Sequence, residues 1–425
     1  MPRVDKVGLR IDEVGLRIGV VGGGPAGFMA AIAAAEAAKA GPGSSVTVFD
    51  AGIPLATVLR TGGGRCNITN SAFETRELAG CYPRGGKLLL SIFSRFGPVE
   101  TMAWFRSRGL DLVEEAEGRV FPRSGRAEDV RRLLETEARR AGIMVRARAP
   151  VVGVSARKGT FHLESTRGSE EFDRLIIATG GDWRDALGSG YRLARMMGHA
   201  VTPLAPSLMA LTAAEAWAGK LAGLSLAEAR AAWQEPDGTA ATEDGGLLFT
   251  HRGISGPLAF RVSARSAFRI VSKKEPLPLS LSILPGMHAG QIETRLLSLL
   301  SERPRQQVVS AVRAVVPRSL ADVVVQLAGL NPESAAAQLS RDGRKRLAAL
   351  LDRLPLTIVG REPGTEMVTA GGIPLGEIEP RTMGSRLLPG LFFCGEVLDI
   401  DGFTGGFNLQ AAWTTGRLAG LAAGR

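Results

Sequence analysis

Short apolar runs that end in glycine recur along this chain, and the spacing of apolar residues changes after each one. IGVV at 18–21 is the first run and reads as a buried parallel strand. It leads into GGGPAG and then FMAAIAAAEAAKA, an alanine-rich stretch that predicts a helix closed by GPG at 41–43. SSVTVFDAG predicts a second strand over 46–49 that ends at Asp50. FDRLIIATGGD at 172–182 supplies another buried strand. The last 37 or so residues predict a strand over 391–394, a loop over 395–407 and a helix over 408–422. Between these blocks the pattern changes. Residues 203–283 mix strand and turn signals, and 288–353 carry leucines at helical spacing, such as Leu296, Leu297, Leu299 and Leu300. Strand-like sequence returns at LTIVG, 356–360.

The order strand, glycines, helix, strand, acid points to a dinucleotide. Gly22, Gly24 and Gly27 match G-x-G-x-x-G, and Pro25 and Ala26 open the helix between them. Gly22 permits the tight turn, Gly24 lets backbone approach a pyrophosphate, and Gly27 lets helix pack on strand. The helix N-terminus directs free N–H groups and a positive dipole end at the phosphates. Asp50 ends the second strand, where its carboxylate can accept hydrogen bonds from a ribose. Ala178, Thr179, Gly180 and Gly181 give a second close approach of backbone to a cofactor. Gly395, Glu396 and Asp399 give a third, with Gly405, Gly406, Asn408 and Leu409 opening the last helix. Glu396 and Asp399 either contact ribityl or ribose hydroxyls or cap their loop. The cofactor domain is therefore expected to be discontinuous, built from both ends of the chain.

RTGGGRCNITNS at 60–71 carries Gly63, Gly64, Arg65, Cys66 and Asn67. Three glycines in a row suit backbone lying against a ligand, with Arg65 and Asn67 reaching pyrophosphate or flavin. Three scattered cysteines exclude a disulfide framework and a CxxC centre, and no metal is expected. Among four histidines, His251 in LLFTHRGISGP has the strongest functional claim, beside a structural alternative. Arg65 and Arg252 are candidates for orienting an anionic substrate or stabilising charge on a reduced flavin.

Composition sharpens some of this. With 45% hydrophobic and 22% charged residues, the chain is a core-forming globular protein rather than a disordered one. The net charge is +10, and only 8 of the 52 basic residues are lysine. The basic residues are spread out, and RPR at 303–305 and RDGRKR at 341–346 read as solvated helix faces. Neither a signal peptide nor a membrane segment is legible, so a cytoplasmic location is the default expectation.

The blocks VVGGGPAGFMAA, TGGGRCNITNS, FPRSGRAEDV, IIATGG, LLFTHRGISGP, VTAGGIPLGEIEPRTMGSR and CGEVLDIDGFTGGFNLQAAW run from residue 20 to 413. Together they resemble the BaiN-like family of bacterial NAD(P)/FAD-dependent oxidoreductases, flavoproteins of the aminoacetone oxidase-like type that are distant relatives of fumarate reductase flavoprotein subunits. The family's lysine just before TGGGRCN is missing from LATVLR, where Arg60 is the nearest cation. The resemblance implies an α/β fold: a discontinuous Rossmann-like FAD-binding domain with an inserted β-barrel-like domain and a nested helical subdomain. The expected bounds are 17–200 with 375–425, 201–285 with 355–374, and 286–354, after an extension over 1–16. It also implies hydride transfer through flavin N5 to a small organic substrate, such as a conjugated C=C bond. Only one nucleotide fingerprint is present, so NAD(P)H is expected to bind transiently, if it is the donor. The alternatives are a flavoprotein that modifies tRNA or other RNA, and a non-catalytic flavin-binding protein. A stable nucleic-acid partner and a membrane partner are not expected, and the oligomeric state is open.

Overall fold

The computed structural model describes residues 15–38, 43–186 and 188–425. Residues 1–14 of the expected extension, and the first two residues of the GPG helix stop, lie outside the described residues. The chain divides into two units, Met1–Pro206 with Val368–Arg425, and Ser207–Met367.

The first unit begins with β1 (Arg17–Val21), α1 (Pro25–Ala38), β2 (Ser45–Phe49), α2 (Ala127–Arg140), β3 (Met144–Arg146) and β4 (Arg174–Ile177). The second unit follows as β5 (Leu211–Ala213), β6 (Ser225–Gln234), β7 (Ala240–Phe249), β8 (Gly253–Ser255), α3 (Gly256–Arg265), β9 (Leu277–Ser282), α4 (Ala289–Glu302), α5 (Val308–Arg313), α6 (Arg318–Leu327), α7 (Arg341–Asp352) and β10 (Leu354–Arg361). The chain then returns to the first unit as β11 (Ile378–Glu379), β12 (Gly384–Ser385), β13 (Leu391–Phe393) and α8 (Phe407–Ala423). Shorter elements are named by their residues.

In the first unit a seven-stranded sheet has the order β11–β12–β13–β4–β1–β2–β3. The five strands from β13 to β3 are parallel, and β11, β12 and β13 pair antiparallel at one edge. Ile177 lies beside Val21 on one side and Phe393 on the other, so β1, β4 and β13 end level with one another. Parallel strands covered on both faces read as unbroken apolar runs, and Val20, Val48 and Ile176 are fully buried.

Helix α1 is buried on nearly every side, which explains its even alanine content in place of an apolar stripe. Its outer neighbour is α8. Gly416, Gly420 and Gly424 recur every four residues on α8, facing Ala26, Ala30 and Ala34 of α1. A β-carbon on these three glycines would fall 2.5, 2.1 and 2.4 Å from the facing carbonyl oxygens. The two helices therefore touch backbone to backbone, and only glycine allows it.

In the second unit six strands close a barrel in the order β5–β8–β7–β6–β9–β10, and β5 pairs with β10. Strand β10 alternates buried and open positions, as a barrel wall with one face inward requires. Helices α4 to α7 do not form a separate core: Ile292, Leu296, Leu347 and Leu351 pack in one cluster with Leu279, Leu281 and Leu356 of the barrel. Of the leucines read from helical spacing, Leu296 and Leu300 are buried, while Leu297 is 45% exposed.

Candidate cofactor and active site

Three loops leave the level ends of β1, β4 and β13, where open α/β sheets bind their ligands. The turn after β1 separates two uses of glycine. A β-carbon on Gly22 would fall 2.2 Å from the Ala178 carbonyl oxygen, and Gly22 has φ +107°. One on Gly27 would fall 1.9 Å from the Gly22 carbonyl oxygen. Both glycines are filled against the protein itself. Gly24, next to Pro25 at the start of α1, faces open space, with only Thr57 Oγ1 at 4.0 Å. Asp50 braces this turn: its Oδ2 accepts from the Gly23 N–H at 2.8 Å and its Oδ1 from the Gly52 N–H at 2.7 Å. Each oxygen keeps a further lone pair for a ligand hydroxyl.

The loop after β4 runs through Ala178 and Thr179 to Gly180, whose φ is +76° with nothing near its β-carbon position. Gly181 is filled instead, since a β-carbon there would lie 2.4 Å from Glu396 Oε1. The loop after β13 is held by the Gly395 N–H, which donates to Thr415 Oγ1 at 2.9 Å. Glu396 Oε1 accepts from the Thr369 N–H at 2.7 Å. Burial, with Asp401 close by, pushes the Glu396 carboxyl up to about 7, although the Thr369 N–H pulls the other way. The raised value means that stability from this group is complete below the ordinary carboxylate range and is lost as pH rises through about 7. Burial also raises the Asp399 carboxyl, against the opposing pull of Arg84 and Thr202.

The TGGGRCN segment is fastened to α8. Trp413 Nε1 donates to the Ile68 carbonyl at 2.9 Å, Thr69 Oγ1 donates to Gln410 Oε1 at 2.5 Å, and Asn70 Nδ2 donates to the Gly405 carbonyl at 3.0 Å. Gly406 caps α8 so closely that a β-carbon would fall 2.5 Å from the Thr69 carbonyl oxygen. Gly63, with φ +67°, has nothing within 4 Å of its β-carbon position, and Gly64 has only the Leu59 carbonyl oxygen at 3.9 Å. Two buried acceptors in these loops lack partners, Asn67 Oδ1 and Asp399 Oδ1. A buried acceptor without a donor is costly, and a bound hydroxyl or N–H group would remove that cost. Open glycines and orphaned acceptors are what an extended polar cofactor such as FAD requires, so the residues fit that group.

The other sequence candidates have these places. Arg65 pairs with Glu115 and lies over the Phe121 ring, 4.0 Å from its centroid. Cys66 has φ +59° and is fully buried, which pushes its thiol up to about 12 and leaves it inert as a nucleophile at neutral pH. Asn408 braces its own loop, accepting from the Gly402 N–H and donating to the Gly402 carbonyl, each at 2.8 Å. Leu409 and Ala26 are buried packing residues. His251 is exposed between β7 and β8 in the second unit, and neighbouring Arg252 lies 3.7 Å from Glu362. Among the described residues no cluster could hold a metal ion, and no helix is long and apolar enough to cross a membrane.

Sequence reasoning missed two features of this unit. Arg84 forms an ion pair with the fully buried Asp401, joining residues far apart in sequence. His199 is buried between Glu377 and Ser385, with Nδ1 2.7 Å from Glu377 Oε2 and Nε2 2.7 Å from Ser385 Oγ. Ser385 Oγ also accepts from the Leu387 and Leu388 N–H groups, so its lone pairs are occupied and it is no nucleophile. CYPRGG holds Arg84 and GEIEPRTMGSR holds Glu377 and Ser385, but nothing local in either block states its partner, Asp401 or His199.

Comparison with known proteins agrees with this architecture. The HI0933-like protein Rossmann domain matches residues 16–422. The 3-dehydro-bile acid delta(4,6)-reductase of Clostridium scindens is 32% identical over 411 residues, covering 95% of this chain and 98% of its own. The ribosomal RNA dihydrouridine synthase of Escherichia coli is 29% identical over 402 residues, covering 93% and 95%. Among solved structures, the open conformation of a flavocytochrome c3 fumarate reductase shares the fold at 16% identity, with a TM-score of 0.50 over 97% of this chain and 79% of that one. The chain thus belongs to the HI0933-like family of Rossmann-fold flavoprotein oxidoreductases.

Proposed function

We propose that the first unit binds FAD across its strand ends, and that the enzyme reduces a carbon–carbon double bond conjugated to a carbonyl on a small organic molecule, with NAD(P)H as donor. The observation that carries this reading is the set of three glycine loops opening toward ligand space at Gly24, Gly63 and Gly180, beside the two orphaned acceptors. The α1 N-terminus, freed by Gly24, suits the pyrophosphate. Asp50 has lone pairs left for a ribose, and Asn67 and Asp399 would accept from ribityl or flavin donors. Bound FAD supplies hydride acceptance and donation. Glu396, pushed up to about 7, exchanges a proton readily near neutral pH. The name of the bile-acid relative supports reduction of a dienone.

A second reading keeps the chemistry and changes the substrate. The uracil ring also carries a C=C bond conjugated to a carbonyl, and two relatives are named ribosomal RNA dihydrouridine synthases. The +10 net charge favours a polyanionic substrate. One experiment addresses both readings. The purified protein should show a flavin spectrum, and NADH or NADPH should bleach it. An enone panel and an RNA fraction assayed for dihydrouridine by mass then identify the acceptor. Protein without flavin would sink both readings.

A further inference from the structure

We propose that the end of the helical layer formed by Arg303, Arg305, Arg341, Arg344 and Lys345 is a docking surface for the phosphate backbone of RNA. This deepens the second reading above and rests on it. The sequence separates RPR from RDGRKR, but the fold joins them. The Ala336 N–H donates to the Gln306 carbonyl at 2.8 Å and the Ala337 N–H to the Pro304 carbonyl at 3.0 Å. Three residues later Ser340 caps α7 and Arg341 begins it. The antiparallel packing of α4 and α7, marked by the Ile283–Leu351 backbone bond at the opposite end, puts both clusters at one end of the layer.

What marks these charges is that the fold gathers five of them without a paired carboxylate. Many arginines of the first unit sit beside a carboxylate, such as Arg17 with Asp173, Arg131 with Glu135 and Arg146 with Glu170. Within the helical layer Arg313 pairs with Asp322 and Arg353 with Asp352. None of the five clustered cations forms an ion pair among the described residues, and four of them are exposed. Arg344 is half-buried, and its Nε has no acceptor. Three of the cations occupy the first two turns of α7, beside the positive end of the helix dipole, where cations are destabilising. Asp342 and Glu302 are the near acids, fewer than the cations they face. A string of phosphates answers the exposed cations and the dipole together: it pairs the cations and reverses the unfavourable dipole contact.

The test uses the flavin-loaded protein and a fluorescent RNA hairpin, with binding measured at about 50 and 200 mM salt. The quadruple variant Arg303→Gln, Arg305→Gln, Arg341→Gln, Lys345→Gln is compared with Arg157→Gln, Arg167→Gln, which removes two exposed arginines of the first unit. Flavin absorbance per protein and melting temperature report folding. The expected result is affinity for RNA that falls with salt, a tenfold or greater loss in the quadruple variant, and a salt slope smaller by about 0.7–0.9 for each phosphate contact removed. The two-site variant should bind as the parent does. Equal binding by the quadruple variant, equal loss in both variants, or capture of the protein by anionic lipid vesicles in place of RNA would overturn the proposal. Dihydrouridine formed in RNA equally by parent and quadruple variant would overturn the docking surface and leave the uracil reading standing. Patch-dependent RNA binding with no dihydrouridine would do the reverse.

Discussion

Two glycine-rich turns in the same unit use glycine for opposite reasons. In the turn after β1, Gly22 and Gly27 are fixed by the protein's own backbone, which leaves no room for a β-carbon, and Gly24 alone faces outward. In the TGGGRCN turn only Gly62 is blocked, by the Asn67 backbone nitrogen at 2.7 Å, while Gly63 and Gly64 face open space in left-handed backbone. The first turn is folded by steric need and keeps one opening. The second is mostly opening, and its shape comes from its ties to α8. A G-x-G-x-x-G pattern therefore marks packing as much as binding, and its three positions are not equivalent.

Substitutions in the two turns can break or sharpen that contrast. The largest effect is expected from Gly27→Ala, whose β-carbon would strike the Gly22 carbonyl oxygen at 1.9 Å. It should cost about 4 kcal/mol or more and lower recovery of folded protein, as denaturant titration would show. Gly24→Val comes next and should act differently. The apoprotein should unfold close to the parent, because nothing lies against that position, while flavin content falls to near zero. Retained flavin would remove Gly24 from the pyrophosphate site. Gly63→Ala should have the smallest effect, about 1 kcal/mol from the φ of +67°, read as a drop of a few degrees in apoprotein melting temperature. If Gly63→Ala destabilised as much as Gly27→Ala, the contrast between the two turns would be lost.

The sheet was legible because parallel strands announce themselves. IGVV, DRLII and LFF are apolar runs stopped by glycine or small residues, and they became β1, β4 and β13. The fingerprint glycines were legible for the same reason, since their spacing follows from one turn and one helix. Long-range pairings were not. Arg65 reads locally as a cation in a ligand loop, yet its guanidinium rests on Phe121 and Glu115, which belong to a hairpin some 50 residues on. His199 lies just past a short helix, Gly190–Met196, and is a buried link to Glu377 and Ser385, neither of which is near it in sequence. The barrel was legible only as mixed strand and turn signals, because its strands are irregular, with register shifts in β5 and β6. The basic cluster was invisible as a cluster, since its two halves meet only through the pairing of 304–306 with 335–337.

The glycine ridge of α8 against α1 has a consequence for how the fold assembles. The first nucleotide-binding turn and the helix that lies on α1 and fastens the TGGGRCN segment stand far apart in the sequence, so this contact is a long-range one. Until α8 docks, the alanine face of α1 is uncovered and Ile68 and Thr69 lack their partners on it. Cofactor loading thus waits on the docking of α8, and a chain in which α8 cannot dock would be expected to reach quality-control proteases with its binding site unassembled.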